Sequence, residues 1–270
     1  MNGDFNFDRL SEGLGDIPIG RNLVYHPQVD STNDTLSRAA SQGVAHGAVV
    51  IAETQTSGRG RRRRNWFSPP GLNIYTSILL REGLQSDLLP FLVYLAGLAV
   101  VEAVSPFLPS PPFLKWPNDV HVAGKKLCGI LCESMKDRNG RAAILGIGLN
   151  VNAAGSDFAD DLRDSAVSLK ILTGKTLDRT MLLAMLYRAV DRLYKDLLDD
   201  KDRIARHWKR LAEVPYVEYT IDRDGDLVTG MAVDLEPDGA LLLKTAGGLI
   251  RIYHGDVVRY RRRGNHAAGH

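Results

Sequence analysis

Two strand-like stretches follow one another in KWPNDVHVAGKKLCGILCES (residues 115–134). The first, DVHVAG, starts at Asp119 and ends in a turn at Gly124, and the second, KLCGILCES, starts at Lys126. Short apolar runs bounded by proline, asparagine and glycine are typical of strands. The stretch therefore predicts two strands of a sheet, and its polar residues are candidates for a functional site.

Further strands and helices flank this stretch on both sides. Three more strands are predicted, at GAVVIAE (47–53), GLNIYTSILL (71–80) and RAAILGIGLNVN (141–152). Helices are predicted from the capping residues at 30–32 to Gly43, across the nearly all-apolar run 86–104, and along an amphipathic stretch from Asp178 to about Leu211. Residues 1 to about 23 are predicted to be a short helical lead-in. The pattern predicts a domain of helices and strands over residues 1–213, which is large enough to be a catalytic domain.

The pattern changes at Val214-Pro215. Short apolar runs now alternate with turn pairs, and no helical period is visible up to Arg261. The turn pairs are Asp224-Gly225, Asp238-Gly239 and Gly247-Gly248. These features predict a small β-barrel over residues 214–263, followed by a disordered tail at 264–270.

The composition is that of an ordinary globular protein. The 270 residues are 44% hydrophobic and 24% charged, with a formal net charge of +2, which excludes collagen-like, disulfide-scaffold and wholly disordered chains and gives no general basic coat for nucleic acid. The longest apolar run, 88–101, is too short to span a membrane, which needs about 20 residues. Cys128 and Cys132, four residues apart on a predicted strand, are too distant for a disulfide. We expect a cytoplasmic protein without a membrane partner.

An arginine-rich loop, SGRGRRRRNW (57–66), separates two of the predicted strands. Five arginines lie among glycines, and this much like charge is unfavourable unless anions neutralise it. One interpretation is a loop that closes on phosphate or carboxylate groups, which guanidinium groups bind in bidentate geometry. A nucleic-acid patch and a merely solvated loop remain alternatives.

Two polar residues of the opening stretch also indicate anion chemistry. Asp119 stands in a predicted turn, where a carboxylate beside phosphates would suit Mg²⁺. On a regular strand, Lys126 would be the single charge on an apolar row, sharing a face with Cys128, Ile130 and Cys132. Such a lysine usually has an anionic partner, and Gly129 would let a ligand lie against the strand. The histidines, His121 among them, show no metal-ligand spacing and are predicted to be structural or solvent-facing.

Taken together, the motifs resemble those of the biotin protein ligases. The matching segments, in chain order, are DSTND (30–34), ETQTSGRGRRRRNWFSPPG (53–71), KWPNDV (115–120), GKKLCGILCE (124–133) and GIGLNVN (146–152). The resemblance implies an α+β fold: a mixed sheet with helices, related to class II aminoacyl-tRNA synthetases and lipoate ligases, and a small C-terminal SH3-like barrel. Bifunctional members carry an N-terminal DNA-binding domain, and with about 25 residues before the first strand this chain is expected to be of the monofunctional type without one.

The resemblance also implies roles for particular residues. The residues implied to bind biotin are Ser31, Thr32, Asn33, Gln55, Gly58, Arg59, Gly60, Arg61, Lys126 and Gly129. Those implied to bind ATP or the adenylate are Arg61, Arg62, Arg64, Trp66, Lys115, Asn118 and Asn150. Lys126, Arg61 and Asp119 are the implied catalytic residues, with Lys126 bridging biotin carboxylate and α-phosphate and Asp119 orienting Mg²⁺ or the acceptor amine.

The implied reaction has two steps. Biotin and ATP form biotinyl-5′-AMP and pyrophosphate, and a lysine of a biotin carboxyl carrier protein then displaces AMP. Both nucleophiles come from substrates, so the protein needs positioned cations and no Ser-His-Asp triad. The alternatives are a lipoate or octanoate ligase of the same fold and, in another class, a nucleic-acid-binding protein that uses the arginine-rich loop. The sequence leaves open whether the protein forms a homodimer.

Overall fold

The computed structural model describes residues 5–137, 139–236 and 238–262, and it contains a seven-stranded sheet followed by a five-stranded one. In spatial order, the first sheet consists of β1 (Leu23–Val29), β2 (Val49–Gln55), β3 (Ile74–Leu80), β7 (Gly140–Leu149), β6 (Lys125–Asp137), β5 (Asp119–Val122) and β4 (Phe113–Lys115). β1 and β2 are parallel, and every other neighbouring pair is antiparallel. The sheet is therefore mixed, as the resemblance implies.

Helices cover both faces of this sheet. On one face lies α2 (Thr32–Ser41), which packs Leu36 and Ala40 against strands β2, β3 and β7. The other face is covered by the apolar helix α3 (Leu89–Val104), together with α1 (Phe7–Leu14) and α5 (Arg179–Asp199). Ser31 caps α2 by accepting a hydrogen bond from the amide of Asp34, so the predicted capping residue is confirmed. The short α4 (Leu169–Thr173) is capped by Ser168, whose side chain accepts a hydrogen bond from the amide of Ile171.

The predicted long helix from 178 to 211 is wrong in one respect, because it consists of two helices. α5 ends at Asp199, and α6 (Lys201–Leu211) begins after it. Asp200 between them has an extended backbone, and its carboxylate accepts hydrogen bonds from the amides of Asp202 and Arg203. A side chain that caps a new helix start thus interrupts an otherwise continuous apolar stripe.

Among the described residues, one helical segment, Ser86–Phe107, is long and apolar enough to cross a membrane by length and composition alone, so the expectation that its apolar run is too short is wrong by that criterion. In the structure, 72% of its apolar window is buried inside the protein. α3 lies in the centre of this segment, between the sheet and helices α5 and α6. Its all-round apolar character is that of a helix enclosed by a core.

The second sheet has the spatial order β11 (Gly248–Ile252), β10 (Leu241–Thr245), β9 (Asp226–Leu235), β8 (Val217–Arg223) and β12 (Asp256–Arg262), all antiparallel. The turn pair Asp224-Gly225 joins β8 to β9, and both residues have positive φ, as a two-residue hairpin requires. This is the small C-terminal β domain that the sequence predicts. The domain boundary at 213/214 stays a prediction, and the predicted disordered tail, 264–270, lies outside the described residues.

Candidate active site

A cavity of about 370 Å³ opens between the first sheet, the arginine-rich loop and the start of β12. All but two of the residues that the resemblance assigns to substrates line it: Ser31, Thr32, Asn33, Gln55, Arg59, Gly60, Arg61, Arg64, Trp66, Lys115, Asn118, Asp119, Lys126, Gly129 and Asn150. Gly58 and Arg62 do not line the cavity. The carbonyl of Gly58 instead accepts a hydrogen bond from the amide of Trp66, at 2.8 Å, and so shapes the loop.

The floor of the cavity is formed by two glycines that face each other across β6 and β7. Gly129 and Gly148 are partners in the sheet, and the indole of Trp66 lies directly on them. A Cβ atom would lie 2.6 Å from the Trp66 ring at Gly129 and 2.5 Å from it at Gly148. No side chain fits at either position, so the two glycines permit a flat ring to lie against the sheet. Gly148 is part of GIGLNVN, a segment in which only Asn150 was predicted to contact a substrate.

The predicted face of Lys126 is wrong. A regular strand would place Lys126 with Cys128, but the pairing of β5 with β6 shifts register here, and Leu127 is an extra residue in β6. This bulge reverses the alternation, so Lys126 lies on the cavity side with Gly129, where its Cε would be 3.1 Å from a Gly129 Cβ. Cys128 and Ile130 point into the core instead.

Asp119 is the anionic partner that the sequence predicts for Lys126. Lys126 Nζ lies 2.7 Å from Asp119 Oδ1 and 5.2 Å from the centre of the Trp66 ring. Burial by itself would raise the pKa of Asp119, but the charge of Lys126 and hydrogen bonds from His121 and Lys126 outweigh it and lower the pKa to about 2. Asp119 is therefore ionised at every physiological pH.

His121, which was predicted to be structural or solvent-facing, is a buried residue at the cavity. Its Nε2 lies 3.9 Å from Asp119 Oδ2. Its Nδ1 is 3.3 Å from the hydroxyl of Tyr260 on β12. His121 thus connects the site to the second sheet.

Most arginines of the loop are neutralised by carboxylates of the protein itself. Arg62 pairs with Asp224 at 2.8 Å and with Asp256 at 3.3 Å, and Arg64 pairs with Asp256 at 2.5 Å. Both carboxylates belong to the C-terminal sheet domain. Arg59, at the other end of the loop, pairs with Asp34 and Glu133.

Arg61 and Lys115 are different, because neither has an ion pair with a carboxylate among the described residues. Arg61 donates one hydrogen bond, to the carbonyl of Gly255 at 3.2 Å, and Lys115 lies over the ring of Tyr260, 5.1 Å from its centre. Burial lowers the pKa of both side chains. The charges of Asp119 and Asp256 offset this effect only in part, so the two desolvated cations form a site that an incoming anion would stabilise.

The end of the cavity near α2 is a polar network. Gln55 Oε1 accepts hydrogen bonds from the amide of Thr32 at 2.9 Å and from its hydroxyl at 3.2 Å, and Gln55 Nε2 donates to Ser68. Ser77, buried on β3, lies 2.8 Å from Thr32 Oγ1 and donates to Asn33 Oδ1 at 2.6 Å. These fixed donors and acceptors suit a small, strongly polar ligand group.

The two remaining polar residues predicted to bind ATP use their amide nitrogens within the protein. Asn118 Nδ2 donates to the carbonyl of Ile130 at 2.7 Å, and Asn150 Nδ2 donates to that of Val167 at 3.1 Å. Both side chains nevertheless line the cavity.

Several residues around the cavity were not identified from the sequence. Ser77 and Glu133 lie within predicted strands and complete the polar network, while Asp256 and Val257 reach the cavity from β12. Nothing in the local sequence of a strand marks one serine or glutamate as part of a site. Cys128 and Cys132 are free thiols, and burial raises the pKa of both.

Comparison with known protein families matches both parts of the chain. Residues 25–150 match the biotin/lipoate A/B protein ligase family, and residues 219–260 match the biotin protein ligase C-terminal domain. The first match contains the arginine-rich loop and the strands β5 and β6, and the second covers most of the C-terminal sheet.

Individual relatives agree with these matches. The chain is 32% identical to the bifunctional ligase/repressor BirA of Bacillus subtilis, over 94% of this chain and 79% of that protein. It is 34% identical to the biotin–[acetyl-CoA-carboxylase] ligase of Mycobacterium tuberculosis, over 89% of this chain and 90% of that protein.

Among solved structures, the biotin protein ligase of Aquifex aeolicus in complex with biotin and ATP superposes with a TM-score of 0.76 at 31% identity, over 90% of this chain and 99% of that one. The fold, the sequence relatives and both family matches agree. The chain therefore belongs to the biotin/lipoate A/B protein ligase family and carries the biotin protein ligase C-terminal domain.

Proposed function

We propose that this protein is an ATP-dependent biotin–protein ligase. It activates biotin as biotinyl-5′-AMP and transfers the biotinyl group to a lysine of a biotin carboxyl carrier protein. The family match, the relatives named as biotin–[acetyl-CoA-carboxylase] ligases and the similarity to a ligase structure containing biotin and ATP support this assignment.

The observation that carries the proposal is a pair of desolvated cations in the cavity. Arg61 and Lys115 line it without a carboxylate partner among the described residues, and Lys126 lies in the same cavity. A triphosphate and a carboxylate are the anions that such a compartment would gather. Their charges would return to Arg61 and Lys115 the electrostatic stabilisation that burial removes.

In the first step, the carboxylate of biotin attacks the α-phosphorus of ATP and pyrophosphate leaves. Negative charge concentrates on the α-phosphate oxygens in the transition state, so cations fixed in advance lower the barrier. Lys126 is the group we assign to these oxygens, because Asp119 and Trp66 hold its ammonium at one place on the cavity floor. Arg61 is assigned to the same phosphate, and Trp66 to the adenine ring.

In the second step, the amine of the carrier lysine attacks the acyl carbon of the adenylate and AMP leaves. A carboxylate with a pKa of about 2 is a weak proton acceptor at neutral pH. Asp119 therefore acts by its charge: it holds Lys126 and attracts the ammonium of the approaching lysine. That ammonium first loses one proton to solvent, which gives the amine nucleophile, and a second proton passes to solvent or to the departing AMP as the amide bond forms.

Asp119 is also the residue proposed to contact Mg²⁺. Its Oδ1 is buried and has no hydrogen-bond partner apart from the nearby ammonium, and the described residues contain no group of three His, Cys, Asp or Glu side chains that could hold a metal. This donor set fits Mg²⁺ bound mainly by ATP phosphates and water. When bound, the ion would neutralise phosphate charge and assist the departure of pyrophosphate.

The alternative functions are not favoured. Among the side chains that the structure describes, Arg59, Arg62 and Arg64 are paired with carboxylates of the protein, which reduces the positive charge that the loop offers to nucleic acid. A lipoate or octanoate ligase would share the fold, but the relative from Mycobacterium tuberculosis is named a biotin–[acetyl-CoA-carboxylase] ligase, and the similar solved structure from Aquifex aeolicus is named a biotin protein ligase. Two free cysteines suit the reducing cytoplasm that we propose as its setting.

The test is exchange of labelled pyrophosphate into ATP by the purified protein with Mg²⁺. We expect exchange that depends on biotin and does not respond to lipoate, octanoate or added DNA. Transfer of label from biotin to a carrier domain, but not to the same domain with its acceptor lysine changed to arginine, checks the second step. Exchange that needs lipoate, or no exchange with either acid, would contradict the assignment.

A further inference from the structure

Glu133 lies just beyond the cavity, on the row of β6 that forms its floor. Side chains alternate along a strand, so Gly129, Leu131 and Glu133 share one face. Gly129 and Leu131 line the cavity. Glu133 is the next residue of the row, and it contacts Asn33 on α2. It is thus close enough to act on the site through other side chains.

Glu133 binds two residues of the polar end of the cavity at once. Asn33 Nδ2 donates to Glu133 Oε2 at 2.7 Å. Arg59 Nη2 donates to the same oxygen at 3.1 Å, and Arg59 Nη1 lies 3.1 Å from Oε1. One carboxylate thereby ties α2 to the first arginine of the loop, and Asp34 on α2 holds that arginine from the other side.

A carboxylate in this position fixes which way the hydrogen bonds run. An ionised carboxylate only accepts hydrogen bonds, so the Asn33 amide must turn its nitrogen to Glu133 and its oxygen to Ser77. The hydroxyl of Ser77, 2.6 Å from that oxygen, donates to it. A glutamine at 133 could present its own NH₂ group and allow the Asn33 amide to turn over, which would exchange a donor for an acceptor at this end of the site.

We propose that Glu133 is a positioning residue for recognition of biotin, the substrate to which the resemblance assigns both Asn33 and Arg59: it sets the orientation of Asn33 and holds Arg59 against α2. This inference rests on the proposed function, since it concerns the same site. Glu133 touches neither the phosphate region nor Lys126, so its effect falls on biotin and not on ATP.

The experiment compares Glu133→Gln, which keeps the shape, with Glu133→Asp, which keeps an acceptor-only carboxylate. Biotin binding is measured by calorimetry without ATP, and KM values for biotin and ATP by pyrophosphate exchange. We expect Glu133→Gln to raise both the Kd and the KM for biotin about tenfold, the usual effect of losing a hydrogen bond to a charged group, and to leave the KM for ATP within about twofold. Glu133→Asp should recover part of the loss. Glu82→Gln, at an exposed turn, is the matched control and should change nothing.

A second variant keeps the test decisive if Glu133→Gln folds poorly. Ser77→Ala removes the donor on the other side of Asn33, and it should also weaken biotin binding without altering the KM for ATP. If both act through the Asn33 amide, the double variant will lose less than the product of the two single losses.

Biotin affinity within twofold of wild type in Glu133→Gln, or an equal rise in both KM values, would overturn the inference while the proposed function stands. Absence of biotin-dependent exchange in the wild-type protein would instead overturn the proposed function.

Discussion

Replacement of Lys126 by alanine tests the central electrostatic argument. The ammonium of Lys126 is 2.7 Å from Asp119 and faces the cavity, so the substitution removes the cation assigned to the α-phosphate without touching the core. Loss of one fixed donor at a site of developing charge costs about 10²–10³ in rate. We therefore expect the biotin-dependent pyrophosphate exchange of Lys126→Ala to fall by about that factor.

The same substitution has a cost in stability that can be estimated from Asp119. Its pKa is lowered from 3.8 to about 2, and at 1.36 kcal/mol per unit this corresponds to about 2 kcal/mol. Because the pKa is lowered in the folded protein, this stabilisation is fully present at pH 7, above the unfolded pKa. Losing most of it would lower the Tm by roughly 4–8 °C, so the variant should still be folded at 25 °C.

The assay measures exchange and thermal unfolding of Lys126→Ala beside Lys125→Ala. Lys125 is the preceding residue on the same strand, and its ammonium donates to the carbonyl of Arg163. It has no assigned role in substrate binding or catalysis. It should keep near-normal exchange. A Lys126→Ala protein that is folded and exchanges within threefold of wild type would refute the reasoning.

Three further predictions concern the ring of Trp66, the arginine-rich loop and stability at acid pH. Trp66→Ala should raise the KM for ATP about tenfold or more with little change in biotin Kd, because base stacking on an aromatic ring contributes about 1–3 kcal/mol; equal losses for both substrates would exclude adenine stacking. Asp256→Asn removes the carboxylate that holds Arg62 and Arg64, so trypsin should cut within 59–64 faster than in wild type, and unchanged cleavage would show that the contacts do not restrain the loop. The difference in unfolding free energy between wild type and Asp119→Asn should be constant above about pH 5 and shrink as pH falls toward 3. The reason is that the ionised Asp119 stabilises the folded protein, and this stabilisation is lost as the carboxylate is protonated. A difference that grows in acid would contradict the lowered pKa of Asp119.

Local patterns were enough to predict most of the fold. Apolar runs between turn residues predicted β2, β3, β5, β6 and β7 of the first sheet, and the all-apolar stretch around α3 predicted the central helix, but the edge strand β1 was not among the predicted strands. Two local features escaped this reasoning, the cap at Asp200 and the bulge at Leu127. Each depends on the hydrogen bonds of a single residue. The periodicity of apolar residues over a whole segment does not reveal such bonds.

The site was predicted to the extent that its residues stand in dense motifs. Arg61, Lys126 and Asp119 lie in such motifs, and the structure brings them to one cavity. Asp256 joins that cavity from a strand 192 residues after Arg64, and no short-range pattern can indicate a contact at that separation. Glu133 was within a quoted motif, but its role depends on the direction of hydrogen bonds, which only coordinates reveal.

The participation of the second sheet in the cavity bears on how this protein could be shortened. Asp256 and Val257 form part of the cavity wall, and Gly255 supplies the carbonyl that receives Arg61. A fragment that stopped at residue 213 would keep all the motif segments that resemble those of the ligases. It would lose one wall of the cavity, so water would enter there. It would also lose the carboxylates that pair with Arg62 and Arg64, so the arginines of the loop would repel one another. The small C-terminal sheet therefore forms one wall of the cavity. A truncated or fused version of the enzyme must retain it to keep the cavity closed on that side.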